Sequence, residues 1–245
     1  MSYHAADRCI ALAPGIADGI EKRGIARGRI AMVPNGCDIE IFGNAAVTPW
    51  RPEGVTKTDL MCIFAGTHGQ ANGLNAVLDD AAVLKSRGRD DIKFVLVGEG
   101  KEKAALMARA KQDSLDTVIF HAAVPKDRLA GLMAAANLGL QCLKNIPSFY
   151  YGTSPNKFFD YIAAGLPVIC NYPGWISELI EANDCGYCTP PDSPDSFADA
   201  LEDAAVNSDT LEKMGNKAKN LALLHFNRSI LAEKWASWVT NGEKI

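Results

Sequence analysis

The residues with the clearest chemical potential lie at the start of a predicted helix. Ser154 is a favourable N-cap, and Pro155 suits the first helical position, where a missing N–H costs nothing. The free N–H groups and positive dipole end of a helix start form a ready anion site. Lys157 adds a positive charge there, and Asn156 and Asp160, four residues apart, share one helix face. Together these residues predict a site for a phosphate group.

Asp160 decides what kind of phosphate the site would hold. Its carboxylate would repel a free anion, but it is a good acceptor for the paired hydroxyls of a ribose. A phosphate joined to a sugar therefore explains this residue better than free phosphate does. The alternative is that Asp160 is an ordinary solvated helix residue, and the residues alone leave both interpretations open.

The composition is that of an ordinary globular protein. The chain has 245 residues, of which 48% are hydrophobic and 22% charged, enough to bury a full core in one or two domains. A net charge of -4 gives no global support for nucleic-acid binding. Because no apolar run reaches the length of a membrane span and the first residues lack a signal-peptide core, we expect a cytoplasmic protein.

The cysteines and acidic pairs do not predict a metal or redox cofactor. Cys185 and Cys188 have the spacing of a redox pair, but such a motif should open a helix, and two prolines close this run instead. No second cysteine pair completes a zinc site. The aspartate pairs at 79–80 and 90–91 are poorly placed to hold Mg²⁺.

Strand-like and helix-like segments alternate from residue 60 onwards, which predicts an α/β fold with a doubly wound parallel sheet in the Rossmann-like order 3-2-1-4-5-6. The predicted strands are 60–65, 93–97, 118–120, 138–143, 168–170 and 186–188. In this order the first and fourth strands flank the switch point, where ligands bind. The loops Gly66–Gly73 and Lys144–Thr153 should therefore meet in one crevice, and the second loop leads into the helix described above.

We divide the chain into four segments. Residues 1–34 hold a strand, a helix and a second strand that cannot form a core alone, so we interpret them as the end of a preceding domain. Residues 35–58 are rich in turn formers and are predicted to be a linker. The nucleotide-binding domain would span 59–228, and 229–245 would form a last helix, with Leu231, Trp235 and Trp238 buried.

The glycine-rich turn Gly66–Gly73 does not have the spacing of a nicotinamide-binding fingerprint, and Gly98-Glu99-Gly100 lacks its third glycine. The phosphate loop ending in Gly-Lys-Ser/Thr is also absent from the sequence. These observations argue against a dehydrogenase or an NTPase. Glycine turns next to a helix start still suit a diphosphate, because backbone N–H groups can approach it closely.

Five blocks occur in an order that resembles the retaining glycosyltransferases of family 4, and more narrowly the branch that builds bacterial surface polysaccharides, including L-fucosamine transferases. The blocks are Val33–Asp38, Phe64–Gly66, Phe94–Gly100, Val118–Phe120 and Ser154–Ile169. The resemblance implies a GT-B enzyme with two facing Rossmann-like domains. Its C-terminal domain binds the nucleotide-sugar donor, and its N-terminal domain binds the acceptor.

By this resemblance the chain is the donor domain plus the last strand and helix of the acceptor domain. The implied activity is metal-independent retaining transfer of a hexose from a nucleotide diphosphate, with UDP expected, to a polysaccharide or lipid-linked acceptor. The chain alone should bind the donor but transfer poorly without the missing half. The resemblance also implies a full-length enzyme peripheral to the inner membrane.

Residue by residue, Asp160 matches the second carboxylate of the family's paired-glutamate motif, whereas the first would lie at Gly152. The loop that normally supplies an arginine and a lysine for the diphosphate has Thr67, His68 and Asn72 instead. Lys157 must then carry more of the phosphate charge. His68 would assist if protonated, or would be a neutral turn residue.

The resemblance therefore predicts donor-binding residues but assigns no catalytic residue. The predicted set is Gly66, His68, Gly69, Gly98, Glu99, Ser154, Asn156, Lys157 and Asp160. Two alternatives stay open: a nucleotide-sugar epimerase of the same architecture, and a non-catalytic domain whose crevice is vestigial. The apolar strand in residues 1–34, if unpaired, would also permit a homodimer through an exposed sheet edge.

Overall fold

The computed structural model describes residues 2–44 and 46–241. Its strands are β1 (Cys9–Ala11), β2 (Ile30–Met32), β3 (Leu60–Ala65), β4 (Ile92–Val97), β5 (Val118–His121), β6 (Leu138–Gln141), β7 (Val168–Cys170) and β8 (Gly186–Cys188). Six of them form one sheet in the order β5-β4-β3-β6-β7-β8, and every pair is parallel. Counted from β3, this is the predicted order 3-2-1-4-5-6, and the prediction is confirmed.

Helices cover both faces of the sheet. In chain order they are α1 (Ser2–Ala5), α2 (Pro14–Glu21), α3 (Ile39–Phe42), α4 (Asn75–Ser86), α5 (Lys103–Gln112), α6 (Lys126–Ala135), α7 (Pro147–Tyr150), α8 (Asn156–Ala163), α9 (Trp175–Ala182), α10 (Pro194–Val206), α11 (Ser208–Leu221) and α12 (Arg228–Asn241). The core beneath α4, α5 and α10 is distinct from the core beneath α6, α8 and α9. None of the described helices is long and apolar enough to cross a bilayer.

The central strand explains this double covering. All six residues of β3 are buried. Met61 and Ile63 point into one core, while Cys62 and Phe64 point into the other. A strand whose successive side chains must both be buried needs helices on the two sides of its sheet, as the uninterrupted apolar run predicts.

β1 and β2 form a separate two-stranded parallel sheet with its own small core. The last helix, α12, packs against this unit. The indole Nε1 of Trp238 donates a hydrogen bond to the Cys9 carbonyl (3.1 Å), and an Arg8 guanidinium nitrogen donates to the Trp238 carbonyl (2.7 Å). The two ends of the described chain are therefore joined.

One local prediction is wrong, and two segments predicted to be irregular each contain one short helix. The linker 35–58 contains the short helix α3, and the loop Lys144–Thr153 contains α7. Trp235, predicted to be buried in the last helix, is 51% exposed, whereas Trp238 is buried. Of the predicted segments 1–34, 35–58 and 229–245, residues 1, 45 and 242–245 lie outside the described part of the chain.

Candidate functional site

The two predicted crevice loops lie side by side at the carboxyl ends of β3 and β6. The backbone N–H of Lys144, in the second loop, donates a hydrogen bond to the Ala71 carbonyl in the first (3.0 Å). Gly73 adopts a left-handed conformation (φ 59°), and an added Cβ there would lie 2.8 Å from the Lys144 backbone. The close contact confirms that the strand order brings both loops to the switch point.

The cavity at the switch point is open and measures about 440 Å³. Its wall on one side is polar and comes from α8, while the facing wall is largely apolar and follows β3, β4 and β5. The lining residues are Ala65, Gly66, Thr67, Val97, Gly98, Glu99, Ala123, Val124, Leu129, Asn156, Lys157 and Asp160. Six of the nine predicted donor-binding residues are among them.

Two glycines form the floor between the strand ends. The Gly66 N–H donates a hydrogen bond to the Val97 carbonyl (3.0 Å), which holds the ends of β3 and β4 together. Gly98 follows at once with a φ of 143°, and an added Cβ there would lie 1.9 Å from the Gly66 carbonyl oxygen. Only glycine satisfies both the backbone conformation and this close approach.

The start of α8 differs from the prediction in its cap. The helix begins at Asn156, Pro155 occupies the N-cap position, and no side chain caps it. The Ser154 hydroxyl instead accepts a hydrogen bond from the Asn35 backbone N–H (3.0 Å), and the Asn35 side-chain amide donates to the Ser154 carbonyl (2.6 Å). Ser154 therefore fixes the entry to the helix from outside the cavity, and its predicted cap role is wrong.

Lys157 extends its ammonium group across to the glycine-rich turn. Its Nζ donates a hydrogen bond to the Asn72 side-chain oxygen (2.6 Å) and lies 4.9 Å from the centre of the Phe64 ring. Burial of the amine lowers the pKa of Lys157 to about 8. The lysine is thus a partly desolvated cation at the start of α8, on the wall of the cavity.

Asp160 lies one turn further along the same wall and is half-buried. Burial raises the pKa of its carboxyl to about 6, and the nearby Asp38 carboxylate acts in the same direction, while Lys126 and Arg228 oppose it. Asp38 itself forms ion pairs with Lys126 (2.8 Å) and Arg228 (2.5 Å). Sequence reasoning missed these three charged neighbours, because they come from separate segments.

His68 is not in the cavity. Its side chain is 0% exposed and lies between the Phe64 and Phe120 rings, at centroid distances of 5.9 and 6.1 Å. Neither ring nitrogen has a hydrogen-bond partner among the described residues. Burial, with help from the Lys103 charge, lowers the pKa of His68. The predicted alternative of a neutral residue fits this position, and a protonated His68 beside the ligand does not. The adjacent Gly69 also lies outside the lining.

Position 152, where the family resemblance places a carboxylate, has no room for a side chain. A Cβ on Gly152 would lie 2.4 Å from the Ser148 carbonyl oxygen. The two tyrosines just before it point elsewhere: Tyr151 donates its hydroxyl hydrogen bond to Glu178, and Tyr150 stacks on Tyr172 with ring centres 6.2 Å apart. Neither lines the cavity. This loop conformation therefore needs glycine.

Glu99 lies on the rim of the cavity. Its carboxylate forms an ion pair with Lys103 (2.9 Å), whose Nζ also donates to the Gly98 carbonyl (2.8 Å). The hydrogen bond from Lys103 lowers the pKa of Glu99. Because α5 begins at Lys103, Glu99 precedes the helix rather than starting it.

Tyr161 supports the cavity from behind. It is fully buried, and its hydroxyl accepts a hydrogen bond from the Ala65 N–H (2.9 Å) at the end of β3. Tyr161→Phe should lower the free energy of unfolding by about 1–3 kcal/mol, because a buried N–H would lose its partner. Urea denaturation measures this loss. Tyr3→Phe, at a 36% exposed ring, is the control and should change little. Equal effects of the two variants would contradict the role of the hydroxyl.

The fold and the cavity define a class: a doubly wound, Rossmann-like α/β domain with its crevice at the switch point of the sheet. Comparison with known sequences specifies that class further. The model of the family described as Glycosyl transferases group 1 matches residues 49–221. The chain belongs to this family of transferases.

Three similar proteins show how the chain relates to the family. The D-inositol 3-phosphate glycosyltransferase of Paenarthrobacter aurescens is 26% identical over 224 residues, which cover 87% of this chain and 52% of that protein. WaaG, a glycosyltransferase involved in lipopolysaccharide biosynthesis, has a similar structure (TM-score 0.74, 20% identity, 95% of this chain and 62% of that one). Anabaena HepE in complex with UDP and glucose also has a similar structure (TM-score 0.76, 16% identity, 95% of this chain and 62% of that one). The chain spans about half the length of the curated relatives it matches.

Proposed function

We propose that this chain is the donor-binding half of a retaining, family 4 glycosyltransferase, and that its crevice binds a UDP-sugar. The observation that carries the proposal is the convergence of Asn156, Lys157 and Asp160 with the glycines Gly66 and Gly98 on one open cavity at the switch point. The structures of Anabaena HepE in complex with UDP and with UDP-glucose support the choice of nucleotide.

Each part of the cavity suits one part of the donor. The apolar wall around Val124 and Leu129 offers a surface for the base. The Asp160 carboxylate can accept hydrogen bonds from the ribose hydroxyls. The start of α8 and the Lys157 ammonium can hold the diphosphate, because partial and full positive charges lie together there.

The proposed reaction breaks the bond between the anomeric carbon and the diphosphate oxygen and forms a bond to an acceptor hydroxyl oxygen. The electron pair of the broken bond stays on the nucleoside diphosphate, and the acceptor proton is released. Negative charge therefore grows on the leaving group, where Lys157 and the α8 N–H groups would stabilise it. We propose that the acceptor, a polysaccharide or lipid-linked sugar, binds to a second domain outside this chain, so that the chain alone transfers poorly.

Calorimetric titration with UDP, GDP and ADP tests the proposal. We expect saturable binding with UDP preferred, and affinity falling from UDP to UMP to uridine as phosphates are removed. The absence of saturable binding for all three diphosphates would contradict the function and favour a vestigial crevice. Incubation with UDP-sugar alone separates the epimerase alternative, since only an epimerase would convert the sugar without an acceptor.

A further inference from the structure

We propose that Asn72 is a positioning residue, because its side-chain oxygen holds the Lys157 ammonium at the end of the crevice where the diphosphate would bind. The amide is a neutral partner for this cation in the free protein. A donor diphosphate would bind the ammonium alongside the amide or in its place. The proposal rests on the proposed function of the crevice. It assigns a role to a residue that the sequence shows only as one of several polar groups in the glycine-rich turn.

The Asn72 amide is fixed at both ends. Its nitrogen donates a hydrogen bond to the Thr67 carbonyl (2.7 Å), and its oxygen accepts one from the Lys157 Nζ (2.6 Å). The amide cannot be turned around, because its NH₂ group would then face the ammonium and its oxygen would face a carbonyl. The amide suits this position because its NH₂ group donates to the carbonyl on one side and its oxygen accepts from the cation on the other.

The backbone around Asn72 is equally well held. Its own N–H donates to the Gly69 carbonyl (3.1 Å), and the preceding Ala71 carbonyl accepts from the Lys144 N–H (3.0 Å). Gly73, next along the chain, packs directly against the Lys144 backbone. The amide therefore projects from a turn that is tied to the other crevice loop, so its position does not depend on the ligand.

Lys157 has no counter-ion of its own in the described part of the chain. Its ammonium lies over the Phe64 ring, and the titratable groups that face it are the thiols of Cys142, at the end of β6, and Cys170, in β7. Asp160, one turn along the helix, is not among the groups that act on its pKa. A neutral amide orients this cation without cancelling its charge, so that the charge remains available for an anion.

The protonation state of Lys157 provides a test, because a purely structural role of Asn72 would not change how UDP affinity depends on pH. Burial lowers the pKa of Lys157 to about 8, so part of the lysine population is neutral in mildly alkaline solution. A bound diphosphate favours the charged form, and binding above this pH must then take up a proton. UDP affinity should accordingly fall as the pH rises from 7 to 9.

The test compares UDP titrations of the wild type, Asn72→Ala, Asn72→Asp, Lys157→Met and the double variant Asn72→Ala/Lys157→Met at pH 7 to 9. Loss of the acceptor in Asn72→Ala should reduce UDP affinity about 5- to 20-fold, and the decrease of affinity at alkaline pH should begin at a lower pH. Asn72→Asp should reduce affinity at pH 7, because its carboxylate competes for the ammonium, and should move the fall to higher pH. In the Lys157→Met background, Asn72→Ala should have almost no further effect.

The exposed Asn75, three residues further on, provides a matched control, and Asn75→Ala should bind UDP as the wild type does. NMR of ¹⁵N-labelled lysine, with the Lys157 signal assigned by its loss in Lys157→Met, follows the titration of the ammonium in the free protein. A wild type that does not bind UDP would overturn both the proposed function and this inference. Normal UDP binding, with additive variant effects and an unchanged Lys157 titration, would overturn the inference alone.

Discussion

Asp160→Asn should weaken UDP binding about 10- to 150-fold and at the same time make the free protein more stable. The loss follows from the acceptor strength of a carboxylate: a hydrogen bond to a charged group contributes about 1.5–3 kcal/mol, and the asparagine amide keeps the shape but not the charge. The gain follows from the setting of Asp160, which is half-buried beside the Asp38 carboxylate.

The sign of the stability effect comes from the pKa. The carboxyl pKa of Asp160 rises from 3.8 to about 6 on folding, so the folded chain disfavours the charged form. Any stabilising contribution is complete below about pH 4 and is lost as the pH rises through 6. At pH 7.5 the charged Asp160 carboxylate therefore lowers the free energy of unfolding of the free protein by about 1–2 kcal/mol, a cost that solvent exposure and Lys126 already reduce. Replacement by asparagine would remove this cost.

Calorimetry and thermal unfolding measure the two effects on the same sample. We expect the melting temperature of Asp160→Asn to rise by about 2–6 °C at pH 7.5 and to match the wild type near pH 4. UDP binding by the wild type should weaken as the pH falls through 6, while the variant should be insensitive there. Asp90→Asn, at an exposed turn, is the control. Normal UDP binding by Asp160→Asn would contradict the role of Asp160 in holding the nucleotide.

Gly98→Ala should be the most destabilising single-atom change in the crevice, lowering the free energy of unfolding by about 3–5 kcal/mol. Two costs combine: a non-glycine residue at φ 143° is strained, and its Cβ would lie 1.9 Å from the Gly66 carbonyl oxygen. The ends of β3 and β4 would have to separate. Because those ends form the floor of the cavity, UDP binding should be lost as well.

Gly88→Ala separates the clash from the strain. Gly88 also has a positive φ (72°), but an added Cβ there meets no atom within 4 Å. This control should cost only about 1–2 kcal/mol in urea denaturation and should bind UDP normally. Similar losses of stability in both variants would show that close approach of the two strand ends is not what requires glycine at position 98.

The sequence by itself determined the architecture and the place of the crevice. Continuous apolar runs such as Leu60–Ala65 must be buried on both faces, and their alternation with helical segments leaves few topologies other than a doubly wound parallel sheet. The strand order then puts the loops after β3 and β6 together. Local patterns also placed Lys157 and Asp160 on one helix, because helical spacing is a local property.

Only the tertiary structure decided how those side chains are held. Ser154 contacts Asn35 across 119 positions, and Lys157 contacts Asn72 across 85. The burial of His68 and the exposure of Trp235 likewise depend on which elements pack around them. Hydrogen-bond partners and burial arise between segments that are distant in the chain, and a sequence pattern specifies the spacing within one segment only.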